Sequence, residues 1–383
     1  LEKKTFIHNL TGILFMEQRF KKVLALADLT INGDRPWDIQ VHNPKLYERV
    51  LKEGSYGLGE SYIDGWWSCE ALDQLIYKIT RVALHTKYEA PFKLLRFLQF
   101  KLSNMQSKKR STQVMKQHYD LGNDLFEVML DKNMLYTCAY WKDGDNLDQA
   151  QENKIQLICN KIQLKPGMKI LELGGGFGTL ARHIAKEYKC EVVSYNISTE
   201  QVKYARKICE GLPVTIVKAD YRDARGLYDR VLAIGLCEHV GYKNYRNLME
   251  LAHRCLDDEG IFLLQTIGRN TSLWKPFDPW IQKYIFPHAH LPSIQQLSKA
   301  AEGLFVMEDW HNFGPHYDKT LMAWNENFTK NWNKLNGSYD EKFYRIWNFY
   351  LLACAGAFRS RDINLWQVVL SKGGIRPGYE SIR

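Results

Sequence analysis

The chain has 383 residues, 45% hydrophobic and 25% charged, which is enough apolar surface for a core and gives no compositional sign of extended disorder. A net charge of +9 and a pI near 8.9 point to anionic partners, nucleic acid or an anionic lipid surface, without choosing between them. No uncharged stretch approaches the roughly 20 residues that span a bilayer, no signal peptide is expected after Leu1-Glu2-Lys3-Lys4, and the scattered cysteines have neither zinc spacing nor Cys-x-x-Cys, so a secreted disulfide framework is excluded.

The length predicts two domains, placed at residues 1–105 and 106–383. The first reads as helical, with apolar residues at helical spacing around Phe20, Val23, Leu24 and Leu26 and again from Ala90 to Leu102. Between them, Gly54 to Glu60 followed by Asp64-Gly65-Trp66-Trp67 carries too many glycines for a helix interior and reads as a packed loop. The polar, basic segment Ser103 to Lys116 is the expected joint, and its Lys108-Lys109-Arg110 run is either a solvated face or a contact for lipid phosphates.

From about residue 150 helices alternate with short apolar runs, the pattern of an α/β sheet. Met168–Leu173, Glu191–Tyr195, Val214–Lys218, Arg230–Ile234 and Ile261–Thr266 read as buried strands. The turn from the first strand into a helix contains Glu172, Gly174, Gly175, Gly176 and Gly178. Its G-x-G-x-G spacing differs from the G-x-G-x-x-G of dinucleotide sites, and a carboxylate beside the glycines would repel a pyrophosphate. With an acid on the strand it resembles motif I of class I S-adenosylmethionine methyltransferases. The bland alternative is a glycine turn needed only for close packing.

Ligands of such sheets lie outside the carboxyl ends of the strands. After the second strand come Asn196, Ile197, Ser198 and Gln201, whose polar side chains suit ribose hydroxyls. After the third come Asp220, placed to accept from an adenine amino group or to cap a turn, then Tyr221, able to cover the ring, and Arg222.

Segments outside the sheet carry a narrower resemblance. Gly57-Leu58-Gly59-Glu60-Ser61-Tyr62, Asp64-Gly65-Trp66-Trp67, His118 to Asp124, Tyr136-Thr137-Cys138-Ala139-Tyr140-Trp141, Glu238-His239-Val240-Gly241 and Glu308 to Gly314 together resemble the bacterial cyclopropane-fatty-acyl-phospholipid synthase family. Asp278-Pro279-Trp280, Ile285-Phe286-Pro287 and Ala355 to Arg359 add to it. The resemblance implies a class I methyltransferase fold with a seven-stranded sheet and a small helical N-terminal domain. It implies methyl transfer from S-adenosylmethionine to a cis double bond of a phospholipid acyl chain, then proton loss to a bound bicarbonate and ring closure. It also implies a homodimer working at the inner face of the cytoplasmic membrane, with no nucleic-acid partner and no metal.

Carried over by residue, Tyr136 and Thr137 join the cofactor site, and Cys138, Glu238, Ile267 and Tyr317 fall on bicarbonate-binding positions, Cys138 and Ile267 through the main chain. Where the family has His in His-Thr-Ile-Gly, this chain has Gln265, which can donate a hydrogen bond but cannot carry charge or shuttle a proton. Gly175 and Phe177 stand where the family usually has Cys and Trp. Cys354, on an apolar helix, matches a family cysteine often marked catalytic, although burial there makes a thiol a poor nucleophile. Glu238 reads as a site residue, its bland alternative being an ordinary helix-start carboxylate, and without the resemblance Tyr317 reads as packing. Trp280, Tyr284 and Phe286 read as either core or the wall of an acyl slot. The Gln265 departure leaves two other outcomes open, a methylated, methylene or hydroxylated acyl product or a lipid-binding homologue without turnover.

Overall fold

The computed structural model describes residues 2–84, 122–272, 278–335 and 337–383, with side chains from residue 13 onward. The expected joint at Ser103 to Lys116, the basic run within it, the Ala90–Leu102 helix and most of the His118 segment lie outside the described residues. The chain forms two compact units, one of Leu1–Ser103, Lys275–Pro287 and Leu335–Asp362, the other of Asn104–Trp274, His288–Lys334 and Ile363–Arg383.

Among the described residues the first unit is helical apart from a small antiparallel pair, β1 (Gln40–Val41) with β2 (Trp67–Ser68). The glycine-rich stretch expected to be a loop is instead a helix, Ser55–Ile63. Close packing explains its glycines. A Cβ on Gly57 would lie 2.6 Å from the Arg49 carbonyl oxygen, and one on Gly59 would lie 2.4 Å from Trp280 Cδ1. Glycine here costs helix propensity but admits neighbours that no larger residue would. Trp280 is 1% exposed, with its ring 4.7 Å from that of Phe349 and 5.1 Å from that of Tyr284, so the structure places it in the packed interior of this unit.

The longest C-terminal helix of this unit, Glu341–Arg359, is capped by Asp340 accepting from the Phe343 amide. Arg345 Nε donates to the Tyr62 carbonyl at 2.7 Å, and Arg359 pairs with Asp73. Segments far apart in sequence are thereby joined by charge-assisted hydrogen bonds as well as by apolar contact.

The second unit contains a seven-stranded sheet: β3 (Lys169–Leu173), β4 (Glu191–Asn196), β5 (Val214–Lys218), β6 (Tyr228–Ile234), β7 (Leu256–Arg269), β8 (Val306–Asn312) and β9 (Ile363–Ser371). Their order is β5-β4-β3-β6-β7-β9-β8, with β9 antiparallel to both β7 and β8 and the other pairs parallel. Helices on both faces bury the parallel strands on both sides, which is why Ile170, Leu171 and Leu173 form a near-continuous apolar run. The expected strands are present within a few residues. The sheet is completed by β8 and β9.

Connections from β3 to β4 and β5 run one way along the sheet and those from β6 to β7 the other, so the chain reverses between β3 and β6. The loops leaving those two strands therefore diverge and open a crevice at their carboxyl ends. One loop carries the glycines and the other carries Gly235 to Glu238.

Candidate active site

The glycine loop is held by its own backbone. Gly174 and Gly175 both donate to the Tyr195 carbonyl, at 2.9 and 3.1 Å, which fixes the exit of β3 to the end of β4. Gly178 has φ +83°, and a Cβ there would fall 2.6 Å from Ala205 Cβ, so it sets the close approach of helix Thr179–Tyr188 to helix Thr199–Ile208.

Glu172 is 4% exposed, and burial pushes its carboxyl up while the Ser194 hydroxyl and Lys154 oppose that. Ser194 Oγ donates to Glu172 Oε2 at 2.6 Å. That hydroxyl occupies the space above Gly175, since a Cβ on Gly175 would lie 1.8 Å from Ser194 Oγ and 2.6 Å from Glu172 Oε2. The departure at Gly175 and the serine at 194 thus belong together. A side chain at 175 and a hydroxyl at 194 compete for one volume.

Asn196, Ser198 and Gln201 are brought together after β4, but largely to hold one another. Asn196 Nδ2 donates to the Gly176 carbonyl at 2.9 Å and to Gln201 Oε1 at 3.0 Å, while its Oδ1 accepts from the Ser198 amide at 2.9 Å. Ser198 caps the following helix. Ile197 lies between these polar groups in the same loop. Asp220 likewise caps its turn, accepting from the Arg222 amide at 3.0 Å and from its guanidinium at 3.1 Å. The Arg222 guanidinium stands 5.0 Å from the Tyr221 ring centroid, and burial raises the Tyr221 hydroxyl to about 12, so the ring is a neutral aromatic surface at ordinary pH.

The second cluster follows β6. Gly235 donates to the Gln265 carbonyl at 2.9 Å, and Glu238 sits in the short helix Cys237–His239. Glu238 Oε1 accepts from the Ile267 amide at 2.6 Å. Among the described residues its other oxygen, Oε2, is buried without a hydrogen-bond partner, and burial lifts the carboxyl to about 7 despite the Ile267 bond. A carboxyl in that state can accept from or donate to a ligand near neutrality. Ile267, expected to offer its main chain to bicarbonate, instead directs its N–H to Glu238. Gln265 is 1% exposed, and its Oε1 accepts from Gln367 Nε2 on β9 at 2.9 Å, a cross-strand pair fixed by the β7–β9 register.

The third cluster is the segment Tyr136 to Trp141 against helix Pro315–Asn331. Thr320 Oγ1 accepts from the Ala139 amide at 3.1 Å and from Trp141 Nε1 at 3.0 Å, and Cys138 Sγ lies 4.0 Å from it. Burial pushes the Cys138 thiol well up, so it is protonated at ordinary pH. Tyr136 and Tyr317 both face Trp324, with ring centroids 5.2 and 6.0 Å away. Thr137 links this cluster to the previous one, because a Cβ on Gly235 would touch Thr137 Cγ2 at 3.3 Å. Cys354 belongs to the other unit, and burial raises its thiol to about 12, which leaves little thiolate for nucleophilic attack.

The profile of the family described as Mycolic acid cyclopropane synthetase matches residues 106–368. The chain belongs to this family. The cyclopropane-fatty-acyl-phospholipid synthase of Escherichia coli K12 is 53% identical over 354 residues, 92% of each chain. The tuberculostearic acid methyltransferase UfaA1 of Mycobacterium tuberculosis is 31% identical over 92% of this chain and 88% of its own. Among solved structures, the mycolic acid cyclopropane synthase CmaA1 complexed with SAH and CTAB aligns with a TM-score of 0.64 and 29% identity over 68% of this chain and 98% of its own. As a cyclopropane synthetase family member the chain is an S-adenosylmethionine-dependent methyltransferase.

Sequence reading missed Ser194, Thr320, Gln367 and Lys154. Ser194 was detectable as a polar residue on a strand whose neighbours are apolar. Lys154 was detectable because it falls one helical turn from both Ala150 and Ile158, on the buried face of helix Leu147–Lys161. Thr320 and Gln367 gave no such signal, since their roles come from elements distant in sequence.

Two expectations follow. Gly175→Ala should lower stability by about 1–3 kcal/mol in thermal or denaturant melts. Ser194→Gly should weaken the wild type but improve the Gly175→Ala background, and a second loss that simply adds would contradict the shared volume. For Glu238, the folded carboxyl binds its proton more tightly than the unfolded one. Its contribution is therefore complete below the ordinary carboxyl range and is lost as pH rises through about 7. The melting temperature of the wild type should fall across that window relative to Glu238→Gln, which keeps an acceptor for the Ile267 amide and does not titrate.

Proposed function

We propose that the chain transfers a methylene group from S-adenosylmethionine to the cis double bond of an unsaturated acyl chain in a membrane phospholipid, giving a cyclopropane chain. The observation that carries this reading is Glu238, buried, anchored through one oxygen to Ile267 and unpartnered at the other. The 53% identity to the Escherichia coli enzyme that bears this activity in its name supports it.

An alkene is a weak nucleophile, so a sulfonium methyl must be aligned with it in a dry site, where positioning lowers the barrier. Attack on the methyl breaks the sulfur–carbon bond, leaves S-adenosylhomocysteine and puts positive charge on the chain. Tyr136 and Tyr317 pack on the buried Trp324, an aromatic cluster that excludes water and whose two tyrosine rings would lend π density to that charge. Ring closure then requires loss of a proton from the newly attached methyl.

The donor set fits bicarbonate. Glu238 Oε2 can accept from its hydroxyl, and the Gln265 amide and the Tyr317 phenol can donate to its other oxygens, while buried Cys138 contributes a neutral wall. Bound there, bicarbonate would supply the base for that proton. Glu238, with a proton affinity near neutrality, keeps its hydroxyl oriented.

A second reading ends in a methyl-branched alkene, the cation losing a proton from a neighbouring chain carbon and not from the new methyl, because Gln265 is tied to Gln367 and cannot take a charge as the family His can. The similarity to a tuberculostearic acid methyltransferase favours keeping it. The chain should be expressed in a host lacking cyclopropane lipids and the fatty acids analysed by mass spectrometry after hydrogenation, which spares the ring. Expected are cyclopropane chains, their loss in Glu238→Gln, and a larger cyclopropane share in Gln265→His. Only branched chains from the wild type would favour the second reading, and no added methylene at all would overturn both.

Adsorption to the inner face of the cytoplasmic membrane as a homodimer completes the proposal. Among the described residues no helix is long and apolar enough to cross a membrane, while Ile13, Leu14 and Phe15 on the first helix are 40, 55 and 65% exposed. Together with the basic balance they suit a peripheral contact with anionic lipid. Binding to phosphatidylglycerol vesicles should weaken with salt, and Phe15→Ser should lower it roughly tenfold while leaving affinity for S-adenosylhomocysteine unchanged.

A further inference from the structure

Lys154 lies on the buried face of helix Leu147–Lys161 and is 2% exposed. Among the described residues its ammonium makes one hydrogen bond, to the uncharged Thr137 Oγ1 at 3.0 Å. No described carboxylate forms an ion pair with it within 4.0 Å. The acids that share its field are committed elsewhere. Asp131 accepts from the Asn133 and Leu135 amides, each at 2.9 Å, and Glu172 accepts from Ser194. Burial pushes the Lys154 ammonium down to about 8, opposed by Asp131, Cys138 and Glu172.

Such an arrangement is costly if it ends there, since a buried ammonium needs an anion or several acceptors. Its position suggests what completes it. Thr137 stands against Gly235, immediately past β6, in the crevice where the sheet reverses and where the glycine loop ends β3. A hydroxyl that accepts from an ammonium has its own proton free to turn outward, and it donates more strongly for being polarised. The cofactor proposed for that crevice carries an α-amino acid tail with a carboxylate.

We propose that Lys154, acting through the Thr137 hydroxyl, forms the anion-binding element for the carboxylate of the cofactor's amino-acid tail. Lys154 is a positioning residue that supplies charge from behind, and Thr137 makes the contact. The assignment rests on the cofactor reading above and adds a part to it. It also gives the buried lysine a physical reason: the ligand brings the negative charge that the apolar surroundings withhold.

Isothermal titration of the full chain with S-adenosylhomocysteine and with 5′-methylthioadenosine, which lacks the amino-acid tail, tests this. Lys154→Gln can keep a hydrogen bond to Thr137 while removing the charge. It should weaken S-adenosylhomocysteine binding roughly 10- to 100-fold, as for a lost charge-assisted hydrogen bond, and leave 5′-methylthioadenosine binding unchanged. Thr137→Val alters a half-buried position and should show the same selective loss, so it carries the test if Lys154→Gln does not fold. The two losses should not add in the double variant. Equal weakening of both ligands, or none of either, would reduce Lys154 to a packing role and overturn the proposal. A wild type that binds neither ligand would instead overturn the cofactor reading.

Discussion

The site depends on one short hydrogen bond, from the Ile267 amide to Glu238 Oε1 at 2.6 Å. It joins the loop after β6 to the neighbouring strand β7 and fixes a carboxyl where water does not reach. Because burial, not a neighbouring charge, dominates its proton affinity, the group is poised near neutrality instead of being firmly ionised. The glycine loop lies on one side of the sheet reversal and Glu238 on the other, and Thr137 bridges toward the latter by contact with Gly235.

Several polar side chains around the crevice are engaged in holding the frame. Asn196, Ser198 and Gln201 bond to one another and to the glycine loop, and Asp220 caps its own turn while binding Arg222. These bonds fix the backbone at the carboxyl ends of the strands, so the crevice is preorganised. Among the described residues around the crevice, those with unspent capacity include one oxygen of Glu238, the carbonyl oxygens of the Gln151 and Gln367 amides and the ammonium of Lys154.

Comparison of sequence and structure is most instructive where residue types conflict with local rules. Gly57 and Gly59 argued against a helix because glycine destabilises helix interiors, yet Ser55–Ile63 is helical, since Arg49 and Trp280 approach too closely for any Cβ. Tertiary packing overrode propensity there. Gly175 marked a departure from the family pattern whose meaning was invisible until Ser194 appeared in the same volume. Lys154, an inward-facing lysine on an otherwise regular amphipathic helix, was a local inconsistency of the kind that accompanies function.

The sequence by itself determined the alternation of strands and helices, the glycine turn with its acid, and the family, because these depend on local periodicity and on motifs contiguous in the chain. It also isolated Gln265 as a departure from the family pattern. Only the tertiary structure decided what each carboxylate, amide and ammonium is bonded to. Pairing Gln265 with Gln367, Cys138 with Thr320 and Glu172 with Ser194 requires strands and helices separated by tens to hundreds of residues to meet. The proton affinity of Glu238 is of the same kind. It is set by burial, which no local stretch of sequence contains.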